Sequence, residues 1–208
     1  MHQVAAQATP AARRRETLRD RQKQDTRVRL IDAADRLFHE RGYHLATVED
    51  IAAEAGASRA TFYLHFAGKA EIAVEIFAAV DPGVGEMARR LDVLDRTSRA
   101  EVRVWLNDAI AWWQEHRAHV EAYQQVVAAE PIVAREWVTE TQRLIDQMPH
   151  YLGCWEGDAR ERARLRMMTL MMQLDRVCYF YIVRDSPLDP ESLLDVLVEQ
   201  WWAALNTD

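Results

Sequence analysis

Cysteine is nearly absent from this sequence: the 208 residues contain two, Cys154 and Cys178, far apart and in no CxxC pair. That count argues against a disulfide framework or a zinc site, no metal is expected, and it fits a reducing cytoplasm. Glycine (7) and proline (6) are scarce enough to act as punctuation, and strand-like alternation of apolar and polar residues is missing. No apolar run approaches the roughly 18 residues that a membrane-spanning helix needs. There is no internal repeat, nucleophile elbow, phosphate loop or HExxH, so the familiar enzyme signatures and a cofactor set are lacking. His116 and His119 beside Glu115 read as a solvated helix end rather than a metal pair.

What is present is an ordinary globular composition, 49% hydrophobic and 28% charged, in a chain long enough to bury a core without staples. The net charge of −7 argues at first sight against nucleic acid. The charge is unevenly spread, however. Residues 1–78 hold 12 Lys+Arg and 11 Asp+Glu, a net of +1, and residues 79–208 hold 14 and 22, a net of −8. Eight of the basic residues lie between Arg13 and Arg29, against three acids. DNA affinity follows local cationic surface rather than the sum over a molecule. In the first 25 residues an Ala-, Gln- and Thr-rich stretch precedes Arg13, Arg14 and Arg15. That order is wrong for an export signal, and the stretch reads as a cytoplasmic tail. With Arg19, Arg21 and Lys23 it forms a basic arm able to reach a minor groove; a solubilising tail is the plainer alternative.

Nearly everything else reads as helix. The first is expected over residues 25–41, with Leu30, Ala33, Ala34, Leu37 and Phe38 on one face and Gly42 as its C-terminal cap. Short helices follow at 48–54 and 59–65, and a fourth from Lys69 carries Ile72, Ile76 and Phe77 inward. The segment Asp81-Pro82-Gly83-Val84-Gly85 is the expected break between two units. Further helices are expected at 86–95, 98–118, 119–129, from Pro131 to 150, at 159–184, and from Asp189 as N-cap to Leu205. The fold class is therefore all-α. Residues 1–25 are a tail, 26–80 a small N-terminal helix-turn-helix unit, and 81–208 a larger helical unit.

The helix-turn-helix rests on an ordered set of residues. Thr47 can cap the second helix with Asp50 in a capping-box position, and Ser58 can cap the third. Gly56 can take the left-handed conformation of a tight turn, and Ala52 is small enough for the two helices to cross closely. Ile51, Ala55, Ala57 and Phe62 supply apolar contacts. Two short helices joined by such a turn match the motif whose second helix enters the major groove. Phe62 and Phe66 point to the core, which turns Arg59, Ala60, Thr61, Tyr63 and His65 outward. Arg59 suits guanine edges and Thr61 a base or thymine methyl. Thr47, Ser58 and Lys69 stand beside helix N-termini, where backbone N–H groups attract phosphates, and Tyr63 can donate to one.

These residues together resemble the N-terminal domain of TetR-family transcriptional regulators. The resemblance is carried by Ala33-Ala34, Leu37-Phe38, Gly42-Tyr43, Thr47-Val48, Ile51-Ala52, Ala55-Gly56, Ser58, Tyr63, Phe66 and Lys69. Ala46 stands where a second Thr is common, and Ala57 where Val or Ile is. The resemblance implies a homodimer on a pseudo-palindromic double-stranded operator, released when a small molecule enters the C-terminal unit. It also implies phosphate contacts from Thr47, Tyr63 and Lys69 and base contacts from Arg59 and Thr61.

The second unit is rich in large apolar side chains at helical spacing. Trp105 and Trp112 form one stripe, Trp137, Thr141 and Met148 lie on a second, and Met171, Asp175 and Tyr179 on a third. Such stripes are core by default. With Thr141 and Asp175 as polar interruptions they also suit a small lipophilic or aromatic effector. The last helix carries Leu193, Leu194, Leu197, Trp201 and Leu205; the resemblance implies that it and the long helix before it pair with their twins across a two-fold axis, and the alternative is that the stripe only closes the chain's own core. The competing reading is a helical carrier of hydrophobic molecules without DNA binding, which would not need Arg59, Thr61, Tyr63 and Lys69 together.

Overall fold

The computed structural model describes residues 18–78 and 81–207, without the side chains of residues 77, 78, 81 and 82. Among the described residues every regular element is helical. Helix α1 (Leu18–Arg41) buries Leu30, Ala33, Ala34, Leu37 and Phe38, the face its sequence spacing marks. It begins ahead of the expected residue 25 because the segment from Leu18 contains good helix formers and no Gly or Pro. Arg19, Arg21 and Lys23 therefore stand exposed on its first turns, while Arg13, Arg14 and Arg15 lie outside the described residues. The helix stops at Gly42, whose φ of +78° lets its N–H reach the Phe38 carbonyl at 3.0 Å. Helices α2 (Val48–Glu54), α3 (Arg59–Tyr63) and α4 (Lys69–Ala78) complete the first unit. Phe77, expected inward on α4, lies outside the described side chains.

The second unit contains α5 (Asp81–Asp92), α6 (Arg99–Glu115), α7 (Arg117–Ala129), α8 (Pro131–Asp146), α9 (Pro149–Leu152), α10 (Gly157–Cys178), a π-helical turn at Tyr179–Val183, and α11 (Pro190–Leu205). Four expected boundaries move. The Asp81–Gly85 segment is helical rather than a break, because Pro82 sits in a first turn, where its missing N–H costs nothing. Helix α6 ends at Glu115, and His116 alone separates it from α7. Helix α8 stops at Asp146, since Pro149 would clash with the carbonyl four residues back and starts α9 instead. Helix α10 starts at Gly157, which takes a positive φ of +53°, and its last turn widens into the π segment.

Two apolar cores result. The first gathers Leu30, Leu37, Phe38, Tyr43, Ile51, Phe62, Phe66 and Ile72 from α1–α4 and the turns between them, and it is closed by Ala122, Val126 and Val133 of α7 and α8. The second is built around Trp105, Leu106, Ile145, Met148, Tyr151, Met167 and Trp201. The α11 stripe belongs to this second core. Leu194, Leu197, Trp201 and Leu205 are buried within the chain, and Trp201 packs on Trp105 with ring centroids 5.1 Å apart. The stripe therefore closes the chain's own core, the second of its two expected placements. Helix α6 lies against that face, and Arg103 of α6 pins α11 through Asp195 and Glu191.

Gly42 generates a test of the junction between the cores. A Cβ there would stand 2.9 Å from Gln125 Oε1 on a backbone that disfavours any Cβ. Gly42→Ala should destabilise the chain by about 1–2 kcal/mol in urea unfolding, the cost of a left-handed L-residue. The added change Gln125→Ala should recover only part of that loss, because the backbone strain persists.

Candidate nucleic-acid interface

Local hydrogen bonding sets the α2–turn–α3 geometry. Thr47 Oγ1 accepts from the Asp50 N–H at 3.1 Å, and the Asp50 carboxylate accepts from the Thr47 N–H at 3.1 Å and its hydroxyl at 2.6 Å. This reciprocal box satisfies the first turn of α2 and holds the Asp50 carboxyl below the usual carboxylate range. Ser58 Oγ accepts from the Thr61 N–H at 3.0 Å and caps α3. Gly56 adopts φ +64° in the turn, and the Ala57 N–H closes it on the Ala52 carbonyl at 2.8 Å. Ala52 is buried where the helices cross.

Phe62 and Phe66 are fully enclosed, with ring centroids 5.7 Å apart, and anchor α3 from beneath. Arg59, Ala60 and Tyr63 are exposed as expected, and Thr61 is half-buried with its hydroxyl 2.8 Å from Ser58 Oγ. Arg59 leans 5.7 Å over the Tyr63 ring and pairs with Glu49 of α2 at 2.6 Å. Tyr63 and Glu49 both favour its charged form. Glu49 was not singled out from the sequence; its spacing marks it only as an exposed first-turn acid. Glu49 holds one edge of the guanidinium, so an incoming anion or base competes with it for Arg59.

Two expected contact residues sit differently. His65 is half-buried rather than outward, with Nδ1 closed off from solvent. Burial, then Lys23 and Arg27, lower its pKa. The Lys69 ammonium folds back, donating to the carbonyls of Tyr43 at 2.7 Å and Ala46 at 3.1 Å and lying 4.3 Å from the Tyr43 ring centroid. Its burial there lowers the pKa. Lys69 thus closes the α1–α2 turn from within. The same turn is tied to the second unit, where Gln125 accepts from the Tyr43 N–H at 2.9 Å and Glu130 from the Tyr43 hydroxyl at 2.8 Å.

Of the residues expected at a ligand, Trp105, Trp112, Trp137, Met148, Met171 and Tyr179 belong to or pack against the second core. Trp105 and Met148 are buried in it, and the Trp105 indole donates to the Met87 carbonyl at 3.0 Å. Trp112 stacks on His116 at 4.4 Å on α6, and a Cβ on Gly83 would meet its Nε1 at 2.7 Å. Trp137, Met171 and Tyr179 are half-buried around α8 and α10. The Thr141 hydroxyl donates to the Trp137 carbonyl at 2.8 Å. The Asp175 carboxylate accepts from Gln124 Nε2 of α7 at 3.0 Å, and its desolvation pushes its pKa up to about 6. An open cleft of about 370 Å³ lies elsewhere, lined by Gln114, Arg117, Tyr181, Ile182, Asp185 and Ser186. Among the described residues no helix is long and apolar enough to cross a membrane.

An N-terminal helix-turn-helix on a larger helical unit defines a helix-turn-helix transcriptional regulator. Residues 30–76 match the family described as bacterial regulatory proteins, tetR family. That segment is a TetR-family helix-turn-helix, and the comparisons support a TetR-family transcriptional regulator. The HTH-type transcriptional activator FasR of Mycolicibacterium smegmatis is 26% identical over 197 residues, 88% of this chain and 84% of FasR. The HTH-type transcriptional regulator TtgR of Pseudomonas putida is 38% identical over 66 residues, which span 32% of this chain and 31% of TtgR. The solved structure of multidrug binding protein EbrR complexed with ethidium has a TM-score of 0.63 at 21% identity, covering 84% of this chain and 97% of that one. Fatty acid degradation regulator FadR from Bacillus halodurans has a TM-score of 0.55 at 18% identity, covering 88% and 97%. These structures share the fold.

Asp175 gives a measurable pH effect. Its folded-state pKa of about 6 lies above the unfolded value of about 3.9. The folded chain therefore keeps a proton that the unfolded chain loses, and stability falls as pH rises from about 4 to about 6. Above that window the buried carboxylate costs roughly 2–3 kcal/mol. Asp175→Asn, which keeps an oxygen for Gln124, should raise the unfolding free energy by up to this amount at pH 8 and little at pH 4. An equal gain at both pH values would rule out the buried charge as its source.

Proposed function

We propose that this chain is a ligand-responsive DNA-binding transcriptional regulator, a homodimer released from a pseudo-palindromic operator by a small lipophilic or aromatic molecule. The observation that carries the reading is α3 itself. Phe62 and Phe66 anchor it while Arg59, Ala60 and Tyr63 face solvent beside a capped α2. In this reading Arg59 contacts a guanine edge, and Ala60 and Thr61 meet neighbouring bases or a thymine methyl. Tyr63 donates to a phosphate, and the α2 N-terminus at Thr47 and the α3 cap at Ser58 stand against the backbone. His65 supports the tip from the side. Lys69, bound to the Tyr43 and Ala46 carbonyls, adds positive charge behind the α4 N-terminus.

For the dimer, the outward face of α10 and α11 supplies the contact. Leu165 and Met172 on α10 and Val196 on α11 are exposed on the two adjacent helices, which the Gln173 and Gln200 side chains bridge. A two-fold through that face would set two α3 helices roughly 34–36 Å apart, one DNA turn. For the effector, the region between α7, α8 and α10 is favoured. In this reading Trp137, Met171 and Tyr179 would line the ligand, Thr141 and the Asp175–Gln124 pair would orient it, and Trp105, Trp112 and Met148 would back the site. The ethidium complex of EbrR supports an aromatic ligand for this fold. Repression is the sign implied by family resemblance, while the name of FasR favours activation; a promoter fusion in cells with and without the protein separates the two.

DNA carrying the region flanking the chain's own gene should shift in a gel with the wild-type protein. Arg59→Ala should weaken that binding by about 1–3 kcal/mol. Glu49→Gln should tighten it by about 0.2–1 kcal/mol by releasing Arg59. Leu165→Glu should yield monomers in sedimentation and lose operator affinity with them. A folded wild-type chain that binds no DNA at low salt would favour the carrier reading.

A panel of hydrophobic and aromatic compounds should contain members that quench tryptophan fluorescence and release the DNA together. Quenching without release would assign the compound to a site uncoupled from α3.

A further inference from the structure

Two side chains of α1 and one of α7 meet where the two helices pass. Asp35 and His39 lie one turn apart on α1, and His119 projects from the first turn of α7. His116, the preceding histidine, engages the Trp112 carbonyl through Nδ1 at 2.9 Å. One donor atom from each of Asp35, His39 and His119 lies within 4.8 Å of the other two. Asp35 Oδ1 stands 3.2 Å from His39 Nδ1 and 3.9 Å from His119 Nδ1. The two rings face one another at 5.4 Å between centroids.

We propose that Asp35, His39 and His119 form a binding site for a divalent transition-metal ion, with Zn²⁺ the best fit, that ties α1 to α7. Zinc holds nitrogen and carboxylate oxygen at about 2.0–2.2 Å, so the edges of its tetrahedron are about 3.3–3.6 Å long. The two edges that meet at Asp35 bracket that length. Two imidazoles with one carboxylate select zinc, cobalt, nickel or copper over magnesium or calcium. Three protein ligands leave the fourth position to water, and the cluster opens to solvent, with side-chain exposures of 40%, 29% and 20% for Asp35, His39 and His119. A plain ion-pair cluster accounts less well for Asp35 Oδ1, which is buried and takes no directed hydrogen bond although two imidazoles flank it. His39 Nδ1 also lies 2.8 Å from the Asp35 carbonyl, a contact that coordination would replace.

The test uses metal-free full-length protein without DNA, so it stands apart from the operator reading. One equivalent of Co²⁺ should give the visible absorption of a four-coordinate site, and Zn²⁺ should displace it and raise the thermal midpoint. His39→Gln and Asp35→Asn, both at partly exposed positions, should melt like the wild type in EDTA. Each should lose Co²⁺ affinity on the order of 100-fold or more, beyond the loss of an outer-shell partner. His150→Gln, at an exposed histidine paired with Asp92 elsewhere, should bind as the wild type does. A folded wild-type chain that takes up no equivalent of Co²⁺ overturns the proposal. So does binding that survives unchanged in His39→Gln and Asp35→Asn.

Discussion

Helix α7 is shared by two cores, and that sharing constrains the rest of the molecule. Val120 points into the Trp-rich core of the second unit, while Ala122 and Val126 close the core beneath α1–α4. The first unit has too little apolar surface of its own to exclude water on that side. Its core is completed only when α7 and Val133 are in place. Polar contacts mark the same seam, where Gln125 and Glu130 hold Tyr43 by its N–H and hydroxyl. The turn between α1 and α2 is therefore set partly by a helix about eighty residues further along the chain. A displacement of α7 has a direct mechanical route to the helix-turn-helix.

At the other end of that unit, rigidity comes from saturation of local hydrogen bonds. The caps at Thr47 and Ser58 satisfy N–H groups at the starts of α2 and α3, and the two phenylalanines fix the roll of α3. The side chains left over at the tip are few. Arg59 is held by Glu49, and Lys69 by backbone carbonyls. Charge at this surface is thus organised before any partner arrives, and a phosphate or base must compete with these internal partners. That competition favours a partner with several contacts over a single anion.

The second unit combines dense aromatic packing with a desolvated carboxylate, Asp175. Trp105 and Trp201 lock α6 to α11, and Trp112 is enclosed by Gly83 and His116. Against that background the Asp175–Gln124 pair is a polar inclusion that costs desolvation free energy, visible in its raised pKa. It lies between the helix that supports the DNA-binding unit and the long α10. Under the proposed function, a bound ligand would repay that cost.

The sequence by itself determined the local grammar: the buried face of α1, the stops at Gly42 and Gly56, the caps at Thr47, Ser58 and Asp189, and the inward pair Phe62 and Phe66. These depend on interactions within about four residues, where spacing and residue type leave few alternatives. The family resemblance is legible for the same reason, because its motif consists of such local devices. Tertiary structure decided the pairings. It sent the α11 stripe into the chain's own core, folded Lys69 onto carbonyls, turned His65 partly inward and put Gln124 beside Asp175. It also gave His119 a place beside His39 and Asp35 instead of beside His116. An apolar stripe or a charged side chain has many chemically equivalent partners along a chain. Only the packing of whole helices, which settles burial and desolvation together, chooses among them.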